Sequence, residues 1–180
     1  TVREAIARKL DYGLEQDLKN SATRTGTFTA IHGRSGRLEI MRACRRKKSS
    51  MRRIHIIGCG KVGQTLGRLW DQEKVFSVGD ILNRSEASGS AAARFIGAGR
   101  AVTAIAEMNP AEVFLISTPD DHIVDACDGL AAAGLVRPGD IVFHCSGALP
   151  AAALMAAKEA GAFIGSVHPV KSFANPDASV

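Results

Sequence analysis

No apolar stretch in these 180 residues approaches the roughly 18 that a membrane-crossing helix needs, which excludes a helical span. Cysteine is scarce. Cys44, Cys59, Cys127 and Cys145 form no CxxC pair and have no paired spacing with histidine, so the sequence offers no zinc template, no other metal site and no obvious disulfide framework. Reduced thiols in a cytoplasmic protein fit that pattern. Aromatic residues make up only 5% of the chain, and none interrupts its basic run, which argues against a stacking platform for nucleic acid. Residues 1–30 lack the charged and apolar succession of a secretory signal, and Thr1 is not a natural start, which points to a cut or processed N-terminus. The pattern GxSxG is also absent. Ser146 and His144 are two residues apart on one strand, roughly 6.6 Å with parallel side chains, so a Ser/His hydrolase is excluded.

What is present is an ordinary globular composition, 46% apolar and 23% charged, with a lopsided charge distribution. Residues 1–50 carry twelve Lys/Arg against five Asp/Glu, whereas the remainder carries eleven against thirteen, so the net charge of +5 belongs to an N-terminal extension. Within it Ile6, Leu10, Leu14 and Leu18 recur at four-residue steps and predict a helix over 3–19. Residues 20–50 are Ser/Thr/Gly-rich, end in Arg45-Arg46-Lys47-Lys48-Ser49-Ser50, and read as a flexible linker. The basic run is preferred as a solvated tail over a nucleic-acid patch. A third reading starts the protein at Met51 and makes 1–50 an upstream artefact.

From Arg53 onward short β-rich apolar runs alternate with Ala-rich stretches, the texture of βαβ units. Strands are predicted at Ile54–Ile57, Phe76–Leu82, Ala101–Thr103, Val113–Ser117, Ile141–His144 and Phe163–Val167, with helices over 62–71, 86–96, 121–133 and 150–160. Right-handed crossovers then give an α/β fold over 51–180: a doubly wound parallel Rossmann sheet of order 3-2-1-4-5-6.

A glycine-rich turn, Gly58-Cys59-Gly60-Lys61-Val62-Gly63, sits between the first strand and first helix. A lone GxGxxG is weak, but here a buried-strand run precedes it and a stripe of Val62, Leu66 and Leu69 follows it. Gly58 serves the tight turn, Gly60 lets a pyrophosphate approach the backbone, and Gly63 and Gly67 let the helix pack closely, with free N–H groups around Lys61 to Gln64 facing the phosphates. At the second strand tip, where an NAD site usually has Asp or Glu, the sequence has Asn83-Arg84-Ser85. A carboxylate would repel a 2′-phosphate, whereas a guanidinium pairs with it, so the cofactor expected is NADP. Asp80 is the rival acid, but it falls within the strand. Ser117, Thr118 and Pro119 end the fourth strand, where they would flank a ribose. The fifth and sixth strands end in His144-Cys145-Ser146 and Val167-His168-Pro169, which would flank the nicotinamide.

The stretches HIIGCGKVGQTLG, NRS, FLISTPDDHI, FHCSGAL and GSVHPVKSF resemble the Rossmann-like NADP-binding oxidoreductases allied to ketopantoate reductase, pyrroline-5-carboxylate reductase and prephenate dehydrogenase. The resemblance spans roughly 52–176 and is nearest to a subgroup with HCSGAL followed by HP-x-x-SF. It implies a helical C-terminal domain that closes the substrate cleft and makes a homodimer, absent from a chain ending at Val180, so that the sequence would be a fragment. The function expected is hydride transfer to or from a small anionic carbonyl or imine metabolite, with a non-catalytic NADP-binding sensor or regulatory module as the alternative.

Hydride chemistry needs a proton donor or a charge near the reacting group, and His168, Lys171 and Ser146 are the candidates. An imidazole exchanges protons near neutral pH and Lys171 suits an anionic substrate. For His168 a scaffold role at the turn is an equal alternative. His55, His144 and His122 read as structural, and Cys145 as an inert thiol.

Overall fold

The computed structural model describes residues 51–169. The expected helix over 3–19, the basic linker, Cys44 and Lys171 lie outside them.

Six strands form one parallel sheet: β1 (Arg53–Ile57), β2 (Ser77–Leu82), β3 (Arg100–Val102), β4 (Val113–Ile116), β5 (Ile141–His144) and β6 (Phe163–Ser166). Their order is β3-β2-β1-β4-β5-β6, as the alternation predicts. Every residue of β4 and β5 is buried, because helices cover both faces of such a sheet and leave no strand residue a solvent side. The helices are α1 (Lys61–Gln72), α2 (Glu86–Ile96), α3 (Ile123–Ala132) and α4 (Met155–Glu159). None is long and apolar enough to cross a membrane.

Several strands end one residue earlier than expected, but their ladders run one bond further. Ser117 N–H donates to Ile57 O at 2.8 Å and Val167 N–H to His144 O at 2.9 Å, although both residues have left strand geometry. The helices predicted over 121–133 and 150–160 instead start as tight three-residue-per-turn coils, Asp120–His122 and Ala151–Leu154, directly after Pro119 and Pro150. Such turns are common at helix starts.

The first helix lies close to the sheet because its inward face is small. A Cβ on Gly67 would stand 2.8 Å from Ile96 Cδ1 and 2.9 Å from Ile56 Cδ1. Further along α1, Trp70 meets Phe76 and Phe143 edge-on at 5.4 and 6.2 Å. Leu66 and Trp70 are buried, whereas Val62 and Leu69 are half-buried, so the buried stripe runs through Trp70 and not the expected Leu69. On the other face Phe114, Ile116, Val142, Ile123, Leu130 and Leu154 build the core.

The sheet contains one irregularity. Ile54 pairs with Val78, but Ile56 pairs with Ile81, so β2 carries an extra residue. The imidazole of His55, fully buried, fills the gap this leaves. Its Nδ1 accepts from Asp80 N–H at 2.7 Å, and its Nε2–H donates to Asn109 O at 2.8 Å. Gly79 makes room, since a Cβ there would be 2.6 Å from the ring. Asp80 itself pairs with Arg100 at 2.8 Å and accepts from Asn109 N–H at 2.6 Å. His55 is therefore structural, as read from the sequence, and the rival acid Asp80 lies within β2 and is engaged by Arg100 and Asn109.

Burial holds the His55 imidazole below its ordinary pKa of 6.5, outweighing the Asn109 carbonyl and the Asp80 carboxylate, which favour its charged form. A group with a depressed folded pKa that is neutral when folded binds more protons unfolded, so its contribution is complete above the ordinary value and declines as pH falls below it. We expect the urea midpoint to drop between about pH 7.5 and about pH 5.5. A constant midpoint would mean that the imidazole titrates alike in both states.

Candidate functional site

The carboxyl ends of β1, β2 and β4 converge on the glycine turn. Gly58 has φ +74°, a left-handed conformation that favours glycine, and a Cβ there would stand 2.5 Å from Thr118 Cγ2. The β4 tip thus packs directly onto the turn. Ser117 Oγ donates to Gly58 O at 2.9 Å, and a Cβ on Gly63 would meet that hydroxyl at 2.8 Å. By contrast, a Cβ on Gly60 would meet nothing within 4 Å, so the backbone there is open to an approaching group.

Behind this opening α1 begins without a side-chain cap. Gln64 N–H closes the first turn onto Gly60 O at 2.9 Å, which removes it from the free donors expected over Lys61 to Gln64. Among the described residues, the N–H groups of Lys61, Val62 and Gly63 have no partner, the usual state of a helix start. They and the positive helix end form a ready anion site. Thr118 Oγ1 beside the turn is buried without a hydrogen-bond partner among the described residues.

The β2 tip divides its three residues between two tasks. Asn83 Oδ1 accepts from Cys59 N–H at 2.7 Å, tying this tip to the glycine turn. Ser85 caps α2, accepting from Ser88 N–H at 3.3 Å. Arg84 is exposed, and among the described residues neither it nor the exposed Lys61 makes an ion pair. Pro119 is exposed at the β4 tip. The side chains of Asn83, Ser85 and Ser117 therefore shape the site, and among the described residues Arg84 and Lys61 are cations there without an ion pair. The Asn83 and Ser117 bonds depend on strands that meet only in the fold, and sequence spacing carries no signal for them.

At the β5 and β6 tips, Ser146 is buried and its hydroxyl accepts from Ala148 N–H and Leu149 N–H, both at 3.1 Å. It is thereby committed to its own loop. His168 is exposed, and its ring lies over Gly147, where an added Cβ would be 2.8 Å from Nδ1. The structure thus brings His168 and the Ser146 loop together. Sequence reasoning missed Ser166, whose hydroxyl donates to Ser146 O at 3.3 Å. Among the described residues no cluster of three His, Cys, Asp or Glu is placed to hold a metal ion.

Burial pushes the thiols of Cys59 and Cys145 up to about 12 and raises that of Cys127 as well, so almost no thiolate is present near neutral pH. Iodoacetamide at about pH 8 is expected to spare these three in the folded protein and to label them in urea. Rapid native labelling of Cys145 would contradict its inert assignment.

A family model described as a Rossmann-like domain matches residues 41–169. No curated protein matches the sequence. Among solved structures, the prephenate dehydrogenase from A. aeolicus, in complex with hydroxyphenyl propionate and NAD+, superposes with a TM-score of 0.54 at 17% identity, over 69% of this chain and 43% of that one. The arogenate dehydrogenase from Synechocystis gives 0.50 at 16% identity, over 60% and 37%. These matches establish likeness of fold, and the chain spans less than half of either protein.

Proposed function

The chain belongs to the Rossmann-like domain family, and from that premise we propose that residues 51–169 are the cofactor-binding part of an NADP-dependent oxidoreductase acting on a small, anionic carbonyl or imine metabolite. The observation that carries this reading is the set of Lys61, Val62 and Gly63 N–H groups, unpaired among the described residues, at the opening of the glycine turn, with an exposed Arg84 and no carboxylate at the β2 tip. The residues fit a dinucleotide. Gly60 leaves room for a pyrophosphate, the buried Thr118 hydroxyl lacks a partner that a ribose would supply, and Arg84 with Lys61 matches a 2′-phosphate. Asp80, the only acid within β2, is occupied by Arg100 and Asn109.

Bound there, the nicotinamide would supply or accept the hydride. The chain's own part is to orient it and to offer a proton or a charge near the reacting carbon. His168, exposed beside Gly147, is the proton donor in this reading, with Lys171 assigned to the substrate anion. Ser146 is assigned to positioning, because its hydroxyl already receives two backbone donors. The solved dehydrogenases of similar fold support an oxidoreductase over other users of the same sheet. Cytoplasmic residence and a homodimer of the full-length form belong to the same proposal.

Titrating NADP and NAD against the protein, with Trp70 fluorescence as the signal, tests the cofactor reading. Following NADPH consumption over a panel of anionic carbonyl and imine compounds tests the reaction. Tight NADP binding with no turnover across the panel would favour the non-catalytic sensor.

A further inference from the structure

His144 is the last residue of β5 and is fully buried, yet its polar atoms serve the loop and not the sheet. Its Nδ1 accepts from Ser146 N–H at 3.2 Å, and its Nε2–H donates to Pro150 O at 3.2 Å. One ring thus holds the first and last parts of the segment 145–150. Inside that span Ser146 Oγ receives the N–H groups of Ala148 and Leu149, and from β6 the Ser166 hydroxyl reaches Ser146 O at 3.3 Å and Leu149 O at 3.4 Å. The outcome is a closed loop that exposes Gly147 at the carboxyl edge and supports the His168 ring.

We propose that His144 is a positioning residue for the nicotinamide half of the cofactor: it latches the 145–150 loop in the shape that receives that half, before the ligand arrives. The proposal rests on the NADP reading above. An ordered loop spares the bound complex the conformational cost of fixing those residues, so removing the latch penalises only ligands that reach the loop. Ligands confined to the glycine turn and the β2 tip are unaffected.

The test compares two probes on the full chain. NADPH carries the nicotinamide; 2′,5′-ADP carries only the adenosine half and its 2′-phosphate. With His144→Leu, the affinity for NADPH is expected to fall about tenfold, the scale of one or two lost ordering hydrogen bonds, while that for 2′,5′-ADP stays within about twofold. His144→Asn, which retains an acceptor for Ser146 N–H, is expected to recover much of the loss and of the nicotinamide fluorescence change on binding. Equal losses for both probes, or no loss for either, would overturn the latch. Failure of the wild type to bind 2′,5′-ADP would instead overturn the NADP reading. Should His144→Leu not fold, amide hydrogen exchange on the free wild type decides. The Ser146, Ala148 and Leu149 amides must be protected without ligand, and exchange at unprotected rates would overturn the latch.

Discussion

Arg84→Ala is expected to weaken NADP binding about 10- to 100-fold and to leave NAD binding nearly unchanged, since a charge-assisted contact to a phosphate is worth about 1.5–3 kcal/mol. The Arg84 side chain follows the last residue of β2 by two positions. It is exposed and makes no ion pair among the described residues, so the folded chain loses nothing structural with it, and stability should change by less than about 0.5 kcal/mol. The loss is therefore readable as binding. Its neighbours cannot substitute for it: Asn83 is turned to Cys59 N–H and Ser85 caps α2. Equal binding of NADP and NAD by the wild type would remove the NADP assignment and retain the fold. A variant that keeps its preference for NADP would transfer the phosphate contact to Lys61.

The largest effect on stability is expected at His55. His55→Leu keeps the apolar bulk but leaves the buried Asp80 N–H without its acceptor and Asn109 O, on an exposed residue, without its donor. A buried backbone group left unpaired costs about 1–3 kcal/mol and the Asn109 carbonyl, which water can reach, less, so a loss of about 1.5–4 kcal/mol is expected in urea unfolding, read as a lower midpoint with an unchanged slope. Added to this is the register shift that the ring fills, because the bulge removes Asp80 N–H from the ladder to β1. A loss below about 1 kcal/mol would show that water takes over both partners and that the ring is a space-filler. The ion pair of Asp80 with Arg100 should survive the substitution, since it lies toward β3.

The strands and their order were legible because parallel strands covered on both faces must be near-continuous apolar runs, as in Val113–Ile116 and Ile141–His144. The glycine turn was legible because its spacing is a local pattern and Gly58 takes its left-handed φ within the turn itself, although the hydroxyl for which Gly63 makes room comes from Ser117. The absence of a carboxylate at the β2 tip was equally plain. Hidden were the destinations of the polar side chains. Ser146, a candidate for chemistry by type and position, is bound into its own loop, and Asn83 Oδ1 is tied to the Cys59 N–H of the turn.

The amino-acid sequence by itself determined the alternation of elements, the glycine turn and the exposed cation at the β2 tip, since each follows from local steric or periodic constraints. Only the tertiary structure decided which buried donors and acceptors meet: His55 with a bulge in β2, His144 with a loop after β5, Ser117 with Gly58. Those pairings join residues that approach through sheet register and helix packing. A hydrogen bond of about 3 Å tolerates a few tenths of an ångström, which no pattern of residue types specifies.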